Sequence, residues 1–124
     1  MLKKFRHDPF PAFVFEIEGL ELEKSVFMVH GENTTVIQYE LRAPPGTIPT
    51  ACTLELRPLI AFRDYHSLTH ENGALDPHFD IDANSVKLTP YAGLPSLYLN
   101  HSGAHVQPSG YWFRNFEYDR ERER

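Results

Sequence analysis

The chain has 124 residues, 41% of them hydrophobic, with a net charge of −5 at pH 7. This length fits a single domain with one core, and this hydrophobic content at modest charge exceeds that of a disordered chain. The acidic balance argues against nucleic-acid binding, and no apolar run approaches the roughly 18 residues that a membrane helix needs.

The first predicted elements are two strands joined by a tight turn. Residues 13–17 and 20–23 alternate with period two, which is the period of a strand. Glu18 and Gly19 between them suit a two-residue hairpin, so the strands should pair antiparallel. The second strand continues through residues 26–29, where both faces are apolar, and we expect this end to be buried on both sides.

Two more strands are predicted before residue 63. Residues 34–41 are rich in β-branched and aromatic side chains, which favour strands. A loop follows around Pro44 and Pro45, because prolines lack the main-chain donor of a sheet ladder. Residues 50–62 then alternate again and predict a fourth strand.

The second half begins with a polar loop over residues 63–78, long enough to suggest a functional role. Beyond it we predict a hairpin over 79–88, a strand around 97–99 and an aromatic strand over 111–118. Roughly eight short strands without an amphipathic helix indicate an all-β fold, an antiparallel β-sandwich. We expect one domain over 1–118 and a charged tail over 119–124.

Several segments carry a resemblance to a known family. The chain resembles the non-catalytic amino-terminal domain of prokaryotic-type glycogen debranching enzymes, which are amylo-α-1,6-glucosidases. The matching segments follow the family's order and cover nearly the whole chain: FRHDPFP at 5–11, LEK at 22–24, FMVHGENTT at 27–35, RPL at 57–59, RDYH at 63–66, PY at 90–91, GLP at 93–95 and YWFRNFEY at 111–118.

The resemblance implies a β-sandwich that packs against an α/α-toroid catalytic domain, which carries the acid and base carboxylates farther along the polypeptide. It also implies that the chain is an internal piece, a partial supersandwich: a truncated protein, a split reading frame or a shortened stand-alone relative. Such a piece would expose strand edges, so we expect a homodimer through a sheet edge.

Cys52 is the single cysteine, which fits a reducing compartment, the cytoplasm.

The first candidate site is the RDYH segment, which contains Arg63, Asp64, Tyr65 and His66. Sugars stack their C–H faces on aromatic rings while their hydroxyls need paired donors and acceptors, so this segment suits contact with α-glucan. The alternative is that Arg63 and Asp64 form an ion pair that braces the loop and that Tyr65 plugs the sandwich edge.

The second candidate site lies in the aromatic segment and contains Trp112, Arg114 and Asn115. On a strand, Trp112 and Arg114 share a face with Phe116, while Asn115 lies on the other. One face must belong to the core. The other is either a platform for stacking sugars or the surface that docks the catalytic domain.

No metal or cofactor is expected. His66 with His70, and His101 with His105, have a spacing that suits one helical face, but no helix is predicted at either place. Solvated or hydrogen-bonded loop histidines are the better interpretation. The acidic residues near the loop occupy predicted turns, where carboxylates commonly form local hydrogen bonds, so we do not expect independent glycoside hydrolysis.

The sequence therefore predicts a non-catalytic accessory domain of a glycogen-debranching amylo-α-1,6-glucosidase. Its expected partners are the catalytic domain and α-glucan, as glycogen or maltooligosaccharide. The alternative is a stand-alone module that binds carbohydrate or another small ligand without an enzyme partner.

Overall fold

A computed structural model describes residues 1–46, 51–64 and 66–116. The chain divides into two compact units, Met1–Glu55 and Leu56–Arg124. The described residues form seven strands and no helix: β1 (Leu2–Arg6), β2 (Ala12–Ile17), β3 (Leu20–Met28), β4 (Thr35–Arg42), β5 (Phe79–Asp82), β6 (Ser85–Leu88) and β7 (Leu97–Asn100).

The first unit contains a four-stranded antiparallel sheet in the order β1-β2-β3-β4. Its central hairpin turns at Glu18 and Gly19, which have φ values of 51° and 80°. Two successive positive φ values define the type I′ turn, whose twist matches that of the paired strands. The hairpin predicted at this position is confirmed.

The two faces of this sheet differ in chemistry. The registers place Lys4 and Arg6 of β1 on the same face as Val14 of β2 and Glu23 of β3, because opposed residues share a face. The other face is apolar. It carries Leu2, Phe5, Phe13, Phe15, Ile17, Leu20, Leu22, Val26, Met28, Ile37, Tyr39 and Leu41, with Lys24 above the Tyr39 ring.

A β-bulge in β1 places apolar Leu2 and charged Lys4 on opposite faces of the sheet. Leu2 pairs with Phe15 and Lys4 pairs with Val14, so β1 contains one residue, Lys3, that has no partner opposite it on β2. Leu2 therefore lies on the apolar face, and Lys3 reaches Glu16 at 3.2 Å and Glu21 at 3.0 Å. The Glu21 hydrogen bond, followed by that of Glu16, raises the pKa of Lys3.

Glu23 is the centre of the charged face. Its side chain is only 12% exposed and accepts hydrogen bonds from Arg6 of β1 and, at 3.3 Å, from Arg42 of β4. Arg6 can cross β2 because the residue opposite it is the small Ala12, which is 2% exposed. Glu23 therefore joins three strands through charge.

Arg42 also holds Glu40, its neighbour two residues back on β4. Nε and Nη2 of Arg42 donate to the two carboxylate oxygens of Glu40 at 2.9 and 2.7 Å. This hydrogen bonding, with the charge of the guanidinium, lowers the pKa of Glu40 below its ordinary value of 4.5 and raises the pKa of Arg42.

This ion pair predicts a pH-dependent contribution to stability. A lowered pKa means that the folded state binds the proton less readily, so the stabilisation is complete above pH 4.5 and is lost as the pH falls through the lowered pKa. We expect Glu40→Gln to lower the urea midpoint slightly at neutral pH, by an amount that shrinks as the pH falls below 4.5. A difference that stays constant with pH would contradict this, and Glu18→Gln in the turn is the control.

The second unit contains a three-stranded antiparallel sheet in the order β5-β6-β7. Its central residue, Val86, is 7% exposed and has Ile81 and Leu99 as cross-strand neighbours. The main-chain N–H of His101 donates to the Asn84 carbonyl at 2.9 Å, which continues the β6–β7 ladder past the last strand residue. The hairpin over 79–88 and the strand around 97–99 are confirmed.

Two predicted strands are absent from the described residues, and one observed strand was not predicted. Residues 51–62 form no strand, and Leu54 and Leu56 are about half exposed, because this alternating segment has no neighbouring strand among the described residues. Residues 111–116 form no strand either. A strand at Leu2–Arg6 was missed because three of its five residues are charged.

The burial expected at the end of β3 is wrong, since Met28 is 66% exposed.

The prediction of an antiparallel all-β fold is confirmed, and the sandwich arrangement stays a prediction, as does the single domain. The predicted tail over 119–124 lies outside the described residues. No helix in the described part is long and apolar enough to cross a membrane.

Candidate functional site

The first candidate segment forms a hydrogen-bonded turn at the start of the long loop. The Asp64 carboxylate accepts the main-chain N–H of His66 at 2.9 Å, and the Asp64 carbonyl accepts that of Ser67 at 3.1 Å. The Arg63 guanidinium donates to the carbonyls of Asp64 and Ser67. Arg63 and Asp64 therefore brace the loop. Tyr65 lies outside the described residues.

The middle of the loop is organised by Asn72. Its Oδ1 accepts the main-chain N–H of Ala74 at 3.1 Å, which closes an Asx turn. Its Nδ2 donates to the His70 carbonyl at 2.9 Å and to the Tyr91 hydroxyl at 3.1 Å. The amide thus shapes the turn and joins the loop to the ring of Tyr91.

The end of the loop is anchored to the second sheet. The main-chain N–H of Asp76 donates to the Pro90 carbonyl at 2.8 Å, and the Asp76 carboxylate accepts the N–H of His78 at 2.9 Å. His78 Nε2 lies 3.2 Å from the Asp80 carboxylate of β5. The loop is therefore irregular, as predicted, but repeatedly hydrogen-bonded.

An ion pair joins the loop to the aromatic segment. Arg114 donates from Nε and Nη2 to one carboxylate oxygen of Glu71, across 43 positions of sequence. The two side chains are 63% and 45% exposed, so the pair contributes at most about 1 kcal/mol to stability. Its main effect is positional, since it joins the aromatic segment to the long polar loop at Glu71.

The aromatic segment itself is irregular, which corrects the predicted division into two strand faces. Asn115 has a φ of 59°, a left-handed conformation that interrupts an extended chain. The rings of Phe113 and Phe116, which strand geometry would place on opposite faces, lie 6.3 Å apart. Trp112 is partly buried, while Tyr111 is 77% exposed. The segment presents several apolar rings to solvent.

The resulting cluster combines Arg114, a predicted site residue, with three residues that were not among the predicted site residues: Glu71, Asn72 and Tyr91. Arg114 reaches the loop at Glu71 rather than at the RDYH segment. The loop's composition pointed towards Glu71, but no sequence signal links Asn72 to Tyr91, because their hydrogen bond spans 19 positions.

The histidines form no metal site in the described part of the chain, where no group of three or more His, Cys, Asp or Glu side chains could hold an ion. His101 Nδ1 accepts the main-chain N–H groups of Gly103 and Ala104 at 3.3 and 3.0 Å. This histidine therefore orders its own loop.

A cleft of about 590 Å³ lies on the charged face of the first unit, away from the predicted residues. It is lined by Lys3, Lys4, Arg6, Val14, Glu21, Glu23 and Arg42. This lining contains no aromatic ring on which a sugar could stack, and most of its charges are already paired with each other. The cluster around Arg114 is therefore the better candidate site.

Comparison with known proteins places the chain in a family. A family model described as glycogen debranching enzyme N terminal matches residues 1–124. No curated protein and no solved structure matches the chain. Because the match covers every residue, the protein belongs to the glycogen debranching enzyme N-terminal family.

Proposed function

We propose that this protein is a non-catalytic accessory domain that contacts α-glucan and packs on the catalytic domain of a glycogen debranching enzyme. The Arg114–Glu71 ion pair carries the proposal, because it joins a polar loop to a segment of exposed rings. A guanidinium, a carboxylate, the Asn72 amide and aromatic rings are together the groups that sugars require. Family membership supplies the class of sugar.

The cluster has features that suit weak sugar binding. It is open to solvent rather than enclosed, and Asn72 and Tyr91 are hydrogen-bonded to each other before any ligand arrives. A pre-ordered pair loses less conformational entropy on binding than two free side chains do. We therefore expect oligosaccharides to bind with millimolar or high micromolar affinity.

Titration with a maltooligosaccharide tests this proposal. Trp112 is the single tryptophan of the chain, so its fluorescence reports directly on the candidate segment. We expect saturable binding by fluorescence and calorimetry, weakened at least about tenfold by Arg114→Ala, since a charge-assisted hydrogen bond contributes roughly 1.5–3 kcal/mol. Arg42→Ala, which removes a similarly exposed, paired arginine from the other unit, is the matched control and should bind normally.

The possible outcomes separate the functional alternatives. Absence of any response at millimolar sugar would overturn glucan contact by the chain alone. The docking role is tested separately, by mixing the chain with the catalytic domain of a glycogen debranching enzyme and measuring the mass of the mixture. Sugar binding without any association would favour a stand-alone carbohydrate-binding module.

A further inference from the structure

The free edge of β4 is the most regular unpaired surface of the first sheet. Among the described strands, β4 pairs with β3 alone, and its eight residues run from Thr35 to Arg42 without a proline or a bulge. The strand is rich in β-branched and aromatic side chains. Edges of this kind are open to pairing with another strand.

The opposite edge of the sheet is protected. β1 has only five residues, three of which are Lys3, Lys4 and Arg6, and a bulge interrupts its pairing. Short length, positive charge and bulges are the devices by which proteins discourage edge pairing. The sheet is therefore asymmetric, with one guarded edge and one open edge.

Two hydrogen bonds establish which main-chain groups of β4 face outwards. Val29 donates to the Thr34 carbonyl at 2.9 Å, and Val26 donates to the Pro11 carbonyl at 3.0 Å. Because main-chain direction alternates along an antiparallel ladder, the even-numbered residues of β4 face β3. The main-chain N–H and C=O groups of the odd-numbered residues face away from β3, and no described residue forms hydrogen bonds with them. These residues are Thr35, Ile37, Tyr39 and Leu41.

We propose that β4 pairs antiparallel with β4 of a second copy of this chain, about a two-fold axis through Gln38. The outward groups of Ile37 would then pair with those of Tyr39 in the second copy, and those of Thr35 with those of Leu41, giving about eight new main-chain hydrogen bonds. The dimer contains one continuous eight-stranded sheet. This inference is independent of glucan binding.

The side chains of β4 favour a second copy as the occupant. In this register an aromatic side chain, Tyr39, lies opposite a β-branched one, Ile37, which is a favourable cross-strand pair. Gln38 lies opposite itself, where two amides can donate and accept reciprocally. Glu40 lies opposite Val36, so no like charges meet, and Glu40 is already neutralised by Arg42.

A charge swap at Gln38 tests both the dimer and its register. Its main-chain groups face β3, so Gln38 forms a non-hydrogen-bonded pair across the axis, the closer kind of pair in a sheet. Gln38→Glu and Gln38→Lys each place like charges opposite each other and should weaken dimerisation about tenfold or more. An equimolar mixture of the two variants should recover the dimer, because Glu then faces Lys.

Sedimentation equilibrium of the full chain at concentrations up to about 1 mM provides the measurement. Circular dichroism of each variant should show an unchanged sheet, and Lys4→Glu on the guarded edge should dimerise normally. A monomeric unsubstituted chain would overturn the proposal. So would variants that remain dimeric when alone, or a mixture that stays monomeric.

Discussion

Replacing Val86 with aspartate is expected to unfold the three-stranded sheet under conditions in which the unsubstituted protein is folded. Val86 is 7% exposed on the central strand, between Ile81 and Leu99. An aspartate there would lose hydration without gaining a partner, at a cost of about 3 kcal/mol or more. This is a large fraction of the stability of a small domain.

Urea unfolding followed by Trp112 fluorescence measures this effect, because Trp112 lies in the same unit as Val86. Val86→Thr keeps the shape of the side chain and should cost only about 1–2 kcal/mol. Ile81→Asp introduces the same charge at a half-exposed site of the same sheet and should cost less than Val86→Asp. Equal midpoints for the two aspartate variants would show that Val86 is not a core residue.

Removing the Glu23 carboxylate is expected to have the second largest effect. Glu23→Ala leaves Arg6 and Arg42 on one face of the sheet without the negative charge that both contact. Breaking a fully buried ion pair costs 3–5 kcal/mol, but these arginines are about half exposed, so solvent screening reduces the expected loss to about 1–2 kcal/mol.

The comparison with Glu16 makes this prediction specific. Glu16 also forms an ion pair on this sheet, with Lys3, but its side chain is 52% exposed, and Glu16→Ala should cost less than about 0.5 kcal/mol. Chemical unfolding followed by circular dichroism measures both variants. High salt should narrow the gap between Glu23→Ala and the unsubstituted protein. Equal losses for the two variants would mean that Glu23 contributes no more than a surface charge.

The hairpins of this fold could be predicted because their signals are local. Gly19 tolerates positive φ, and the alternation on either side of it fixes both the strands and their pairing. Strand β1 could not be predicted in this way, since Lys3 and Arg6 are stabilised by glutamates on other strands.

Two segments have the sequence pattern of a strand but form no strand in the part of the chain that the structure describes. Residues 51–62 alternate but have no strand beside them among the described residues, and hydrogen bonding to a neighbour is what completes a strand. Residues 111–116 have the composition of a strand, yet Asn115 adopts a left-handed conformation. The candidate site was predictable as two segments, but the pairing of Arg114 with Glu71 depends on tertiary structure.

The bulge in β1 has a consequence for where this chain can lose a residue. Deleting one residue from a strand normally moves every side chain on one side of the deletion to the opposite face of the sheet. Here Lys3 is the extra residue, so its removal would leave Leu2 opposite Phe15 and Lys4 opposite Val14. The amino-terminal strand therefore contains one position at which a deletion preserves the alternation of the whole sheet.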